Sequence, residues 1–317
     1  MTLSTITLQC MQILTVLLLS PLLEGIIVQF ESRVKRHQGA GLFQPYRDLC
    51  KLFCKGIVLP KTASWFFVLA PVIAFVVMLI VSMLIPVLTS FPLPFSDMGD
   101  ILGGGLLLAL GSFVISLVGL DTGSAYGGMG ASRTSLLGIL SEPVFILIFV
   151  GISLLANSML PFTINRLLVE TSALYWNPAH LFLVFAFFIV LTVETGRMPI
   201  HSGSHIEIYM IEESRILECS GPLLGLLKWA SMMKQFLLYT LFCNLLFFPW
   251  WLSASHGILW GLLAIILLFV KYTFVACMIV FVNTSRSRLR FFRYQEPLAL
   301  AFVFAFTAVL IKMIGGA

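Results

Sequence analysis

Polar positions along this chain are gathered into short breaks between long apolar runs. The runs lie at roughly 5–30, 64–89, 101–120, 134–157, 179–194, 222–250, 256–282 and 296–313, and most are long enough to cross a hydrocarbon layer of about 30 Å. The fifth run is short, although Pro178 and the residues before it can extend it. In a bilayer every backbone amide needs an internal partner, and apolar runs without turn punctuation point to helices rather than a barrel. The pattern therefore predicts an all-α integral membrane protein with about eight transmembrane helices, residues 1–317 forming one transmembrane domain.

The long loop at 31–63 carries a different pattern. Leu42, Phe43, Tyr46, Leu49, Cys50 and Phe53 recur at helical spacing, while Gln44, Arg47, Asp48, Lys51 and Lys55 fill the other faces. This predicts an amphipathic helix lying in the interface plane. It serves either as a lipid-surface anchor or as the rim against which a partner docks.

Composition agrees with the pattern. Of the 317 residues 59% are hydrophobic and 10% charged, against about 25% charged in a soluble domain. The N-terminus lacks a basic segment and a small-residue cleavage site, so the first run is expected to stay as the first helix. Six cysteines show no CxxC spacing, and only Cys50 and Cys54 lie close, on one side of a helix. No disulfide framework, metal site or cofactor is read from them.

Charge placement sets the expected orientation. The first loop holds Arg33, Lys35, Arg36, Arg47, Lys51, Lys55 and Lys61, the third Arg133, the fifth Arg197 and Arg215, and the seventh Arg286, Arg288, Arg290 and Arg293. The opposite side holds only Arg166 and Lys312. The excess of Lys and Arg puts the odd loops in the cytoplasm and both termini outside.

Several ionisable residues fall within spans: Glu24, Glu142, Glu194, Lys228, Lys234 and Lys271. Each costs about 2.5–3.5 kcal/mol on insertion scales, so such residues mark pathways. Lysines near a helix end can snorkel, which is the plainer alternative for Lys228 and Lys271; glutamates are shorter and snorkel badly. Acids and amines tuned by burial and by each other exchange protons near neutrality.

The fifth loop adds Glu207, Glu212, Glu213 and Glu218. In a helix, Glu207 and Glu218 share nearly one face at a separation of roughly 16 Å, a distance for a water-bridged relay rather than direct transfer. A solvated acidic face is the plainer account. His201 and His205 flank the cluster, but no third metal ligand is evident. The stretch from Gly119 to Arg133 matches no phosphate-binding fingerprint. Its glycines suit tight turns and close backbone approach at a helix end, and Gly103, Gly104 and Gly105 suit close helix packing.

These segments carry a family resemblance. Pro21-Leu-Leu-Glu-Gly25, Leu42-Phe-Gln-Pro-Tyr-Arg-Asp48 with Lys51-Leu, and Gly119-Leu-Asp-Thr-Gly-Ser124 through Gly130-Ala-Ser-Arg133 occur in order. Leu137-Gly-Ile-Leu-Ser-Glu-Pro143, Glu194-Thr-Gly-Arg-Met-Pro199, Leu217-Glu-Cys-Ser-Gly221, Lys228-Trp and Lys234-Gln follow. Over nearly its whole length the chain resembles the membrane subunit shared by respiratory complex I (its subunit 1) and group 4 [NiFe] hydrogenases, on the hydrogenase-4 and formate hydrogenlyase branch. The resemblance implies a multi-pass protein of the bacterial inner membrane, with eight helices and outer termini, that anchors a redox arm and links it to a proton path. It implies a proton pathway of Glu142, Glu194, Glu207, Glu213 and Glu218, with Lys228 and Lys234 matched by motif. Arg47, Asp48, Asp121, Arg133 and Arg197 match the redox-arm interface. Peripheral hydrogenase-like large and small subunits and antiporter-like membrane subunits are the implied partners, with no nucleic acid. The nickel–iron centre and iron–sulfur clusters would sit in those partners, and no cofactor on this chain.

The chain also departs from the family pattern. His37-Gln-Gly-Ala40 replaces a pair of arginines with Gly-Pro, Ile200-His201 replaces an acidic residue after Pro199, and Glu212 and Cys219 stand where His and Tyr occur. Two other functions remain open: the quinone-site subunit of a complex I-type dehydrogenase, and a stand-alone secondary transporter. The absence of an internal repeat and the short loops argue against the transporter.

Overall fold

The computed structural model describes residues 3–34, 36, 39–196, 214–253, 258–285 and 295–315. Helix α1 covers Leu3–Val34, α2 Gln44–Phe53, α3 Phe66–Leu84, α4 Ile101–Asp121, α5 Ala125–Ala156 and α6 Pro161–Glu170. After these come α7 Ser172–Tyr175, α8 Pro178–Glu194, α9 Gly221–Leu241, α10 Ile258–Ser285 and α11 Gln295–Gly315. Helix α9 runs on into a π-helical turn at Phe242–Phe247. Apart from an isolated bridge between Thr89 and Ser253, the described residues hold no β-structure.

Among the described residues, α1, α3, α4, α5, α9 with its π turn, α10 and α11 are long and apolar enough to cross a membrane. The eighth apolar helix, α8, has 17 residues, about 26 Å of rise. All eight fall on the expected runs. Pro178 opens α8, with the Asn177 side chain accepting from Ala179 N at 3.0 Å, so proline sits where its missing N–H costs nothing.

The glycine-rich stretch differs from its reading as a loop at a helix end. Only Gly123, at φ +64°, makes the turn. Ser124 Oγ then accepts from Gly127 N at 3.1 Å, an N-cap that starts α5 nine residues before the expected 134. The glycines beyond the cap lie inside the helix. At Gly130 a Cβ would run into Ser214 of the turn Ser214–Ile216. Of the three consecutive glycines in α4 only Gly105 approaches a neighbour, Phe149 of α5, whereas nothing stands within 4 Å of a Cβ at Gly103 or Gly104. Close packing explains one of those three.

Helix α9 is the least apolar of the seven long spans and the most enclosed. It packs on α1 and α3; α4 joins α3 to α5, and α5, α8 and α11 form the opposite side. A single buried core runs through these helices, with Phe187, Phe236, Tyr239 and Phe242 among its largest side chains.

The amphipathic helix expected in the first loop is α2. Only Leu49 is buried on it, and it rests on α1 and α9. Beyond it the chain is pinned at two places. Ser220 Oγ donates to the Val58 carbonyl (2.9 Å) and accepts from Val58 N (2.8 Å). Asp121 accepts from Ser64 N and Oγ at 2.9 and 2.7 Å, and Thr62 Oγ1 donates to the Thr122 carbonyl at 2.7 Å. Gly221 (φ +57°) completes the first clasp, because a Cβ there would sit 2.5 Å from the Gly56 carbonyl oxygen.

Candidate functional site

Four helices bring one polar group each to a common point. Lys234 of α9 donates to Glu194 Oε2 at 2.5 Å and to Ser112 Oγ of α4 at 2.6 Å. Ser141 of α5 donates to the other oxygen, Glu194 Oε1. Glu194 ends α8, where the chain turns away, and the side chains of the pair are only 15% and 16% exposed. An ion pair so placed is held by charge and by one hydroxyl on each partner, support that a buried pair requires. Arg215 is a second cation within electrostatic reach of Glu194.

The pair forms the floor of a cavity of about 40 Å³ between α4 and α5, room for roughly two or three waters. Gly105, Ala109, Gly138, Phe145 and Phe149 line its walls, and Glu142 reaches it from α5. Glu142 is exposed on the flank of the bundle, seventeen residues into α5 and beside exposed Ile139 and Ile146. Pro143 follows it and removes one backbone donor from that turn. The site thus joins a carboxyl group on the apolar perimeter to an ion pair inside. Waters in such a space can relay protons between them.

The other expected residues are distributed differently. Glu218 is exposed, outside the cavity wall, and its carboxylate faces Cys219. Burial foremost, then that carboxylate, pushes the Cys219 thiol up to about 12. Lys228 is half-buried six residues before Lys234 and does not line the cavity. Asp121 is occupied by Ser64, as described above. Arg47 and Asp48 are exposed on α2, with Gln44 Nε2 donating to Asp48 at 2.8 Å, and Arg133 is exposed on α5. Glu207, Glu213 and Arg197, with Glu212, His201 and His205, lie outside the described residues. Among the described residues no three His, Cys, Asp or Glu side chains gather as metal ligands.

Ser112 and Ser141 are the members that sequence reasoning did not single out. Ser141 precedes Glu142, and helical spacing turns the two toward different neighbours. Ser112 is an isolated hydroxyl in an apolar run. Lys271 does not snorkel. It is 2% exposed and donates to Asn244 Oδ1 at 2.9 Å and to the Phe248 carbonyl at 2.8 Å.

Comparison with known proteins identifies a family and a fold. A sequence profile of the NADH dehydrogenase family matches residues 7–315. The chain is 32% identical over 310 residues to hydrogenase-4 component C of Escherichia coli (strain K12), covering 96% of this chain and 95% of the relative. It is 30% identical over 303 residues to formate hydrogenlyase subunit 4 of the same organism, covering 94% and 95%. With NADH-ubiquinone oxidoreductase chain 1 of Chondrus crispus it shares 29% over 289 residues, covering 86% and 84%. Among solved structures it resembles a chain of the membrane-bound sulfane sulfur reductase, an archaeal respiratory membrane complex. There the TM-score is 0.78 at 21% identity, covering 96% of this chain and 99% of that one; at that identity the likeness concerns the fold alone.

Proposed function

This chain belongs to the NADH dehydrogenase family, that of complex I subunit 1, and from that premise we propose that it is the membrane-anchor and proton-coupling subunit of a hydrogenase-4-like or formate hydrogenlyase-like complex. The observation that carries the proposal is the Glu194–Lys234 pair at the four-helix junction, joined by a cavity to Glu142.

Chemically the pair is a two-position latch. As a carboxylate, Glu194 holds the Lys234 ammonium and accepts from Ser141. When it takes a proton from the cavity the charge attraction is lost, and Lys234 keeps Ser112 as a partner while turning toward water. Loss of the proton restores the pair. A cycle moves one proton when it enters from the cavity and leaves on the other side of the pair, and a partner that biases one form drives the movement.

The remaining parts of the reading follow the charge pattern. The basic first loop and α2 face the cytoplasm and receive a peripheral redox module, with residues 121–133 and 195–221 as the other docking segments. Hydrogenase-like large and small subunits would carry the nickel–iron centre and iron–sulfur clusters, and antiporter-like subunits would cover the Glu142 flank. Both termini lie outside a bacterial inner membrane. The name of the Chondrus crispus relative favours a second reading, in which the partner delivers electrons to a quinone. Extraction of lipophilic cofactors from the gently purified complex separates the two, because a stoichiometric quinone would replace the hydrogenase reading.

Glu142→Gln and Glu194→Gln in the assembled complex test the coupling role. Inside-out membrane vesicles supplied with reduced methyl viologen should show proton movement lowered about tenfold or more. If both variants assemble and move protons as the parent does, the coupling role is wrong.

A further inference from the structure

A second buried lysine lies on the far side of α9 from the latch. Lys271, thirteen residues into α10, reaches the π turn that continues α9. Among the described residues no carboxylate pairs with it, in contrast to Lys234. Its two acceptors are Asn244 Oδ1 and the Phe248 carbonyl.

The π turn creates this site. Winding one residue too many per turn leaves carbonyls at its end without helical donors, and side chains from other helices satisfy them. Asn165 Nδ2 of α6 donates to the Asn244 and Pro249 carbonyls at 2.5 and 3.1 Å. Tyr175 OH donates to the Phe247 carbonyl at 2.9 Å. Asn244 Nδ2 donates to the Pro86 and Val87 carbonyls at 2.8 and 3.3 Å. Each of these polar groups is therefore fixed in place. Single π turns inside α-helices recur at functional positions.

Counting protons at Nζ shows what the site accepts. A neutral amine has two N–H groups and a lone pair; an ammonium has three N–H groups and no acceptor. Two protein acceptors are present, so the amine has both N–H groups bonded and its lone pair left, and the ammonium has one N–H over. Asn165 Oδ1, on a side chain that is 0% exposed and bonded to the same π turn, finds no donor among the described residues. Buried polar atoms are paired with protein or with ordered water. A water linking Asn165 Oδ1 to Nζ donates to both atoms when Lys271 is the amine, and accepts the third N–H while donating to Asn165 when Lys271 is the ammonium.

We infer that Lys271, with Asn244, Asn165 and a bridging water on the π turn, is a second intramembrane proton-exchange site. Protonation of the Nζ lone pair through that water balances when the water is reprotonated from solvent: amine and hydronium give ammonium and water, and the reverse step returns the proton. The titratable groups facing Lys271 are the Cys243 thiol on the π turn and, beside it on α10, the Tyr272 phenol, whose OH is 2.5 Å from Thr240 Oγ1. The inference rests on the proton-coupling reading for its role, while the exchange itself does not need that reading.

The site is tested in the intact complex in lipid nanodiscs with ¹⁵N-lysine, Lys271→Arg assigning its signal. The Nζ resonance should convert between ammonium and amine within roughly pH 6–9. A signal fixed as ammonium across that range overturns the inference. Arginine keeps the charge and the donors but never releases its proton. Lys271→Arg and Lys271→Gln should each therefore lower proton movement in viologen-driven vesicles about fivefold or more. An arginine variant that moves protons like the parent assigns Lys271 to structure alone. Glu194→Gln in the same vesicles keeps the two ideas apart. Coupling lost there but kept in the Lys271 variants sinks only this inference, whereas a titrating Lys271 with coupling intact in Glu194→Gln sinks only the latch.

Discussion

Trp229 on α9 donates its indole N–H to the Leu17 carbonyl of α1 at 3.2 Å. Leu17 stands four residues before Pro21, and proline has no N–H to close that helical bond. The indole occupies the place of the missing donor, and Tyr46 of α2 donates to the neighbouring Leu18 carbonyl. Phe53 and Phe75 pack on the Trp229 ring at centroid distances of 6.1 and 5.2 Å. A proline that by itself would weaken α1 is thereby made into the joint between α1, α2 and α9.

This joint gives a rescue prediction. Trp229→Phe keeps most of the ring packing but leaves the Leu17 carbonyl with only the long Ser20 Oγ contact at 3.4 Å, at a cost of about 1 kcal/mol. Pro21→Ala in the same chain returns a helical N–H to that carbonyl and should recover most of the loss. Thermal melting of the two single variants and the double variant in detergent measures the coupling. Additive effects would mean that the indole acts only through its bulk.

The latch predicts a different kind of rescue. Lys234→Met strands the Glu194 carboxylate, and loss of one partner from an enclosed pair costs about 3 kcal/mol. Yield of the assembled complex should fall. Adding Glu194→Gln removes the stranded charge, so assembly should return while proton movement does not. Recovery of both would show that the pair serves structure alone.

Cys219 should be inert to alkylation. With the thiol at about 12, only about one molecule in 10⁴ is thiolate at pH 8. Exposed Cys50 on α2 and Cys54 just after it should react with N-ethylmaleimide far sooner, read by mass spectrometry. Burial is the larger cause, so Glu218→Gln should speed Cys219 only slightly. A Cys219 that labels as fast as Cys50 would contradict the buried position of its side chain.

Orientation is open to direct test. In a background without native cysteines, single cysteines at Ser4 and Gly316 should react with an impermeant thiol reagent from outside intact cells, and one at Lys55 should not. Labelling of the Lys55 position would reverse the assignment.

The spans were legible because bilayer thickness sets a length that apolar runs either meet or miss, and α8 at the lower limit was visible as a short run. Glu194 and Lys234 could be singled out as costly charges, but nothing in their spacing pairs them. That pairing arises where the end of α8 meets the middle of α9, a tertiary fact. Ser112 and Ser141 were missed because a lone hydroxyl in a span usually satisfies its own helix, as Ser116 Oγ does with Ser112 O at 3.1 Å. The start of α5 was misplaced because glycine density was weighed as turn chemistry, whereas here it allows a helix to pass close to Ser214. The π turn left no trace in the apolar pattern. An extra residue in one turn shifts the register without changing the hydrophobicity.

The Ser220–Val58 clasp has a mechanical side. Two hydrogen bonds between the same two residues resist shear as well as separation, so residues 56–58 and the entry to α9 are displaced together or not at all. Trp229 and Lys234 follow on that same rigid rod, about 13 and 20 Å beyond the clasp at 1.5 Å per residue. Helix α9 therefore ties the first loop to Lys234 through a single continuous element. The membrane half of such a machine need not sense its partner's chemistry; it has only to feel a tug.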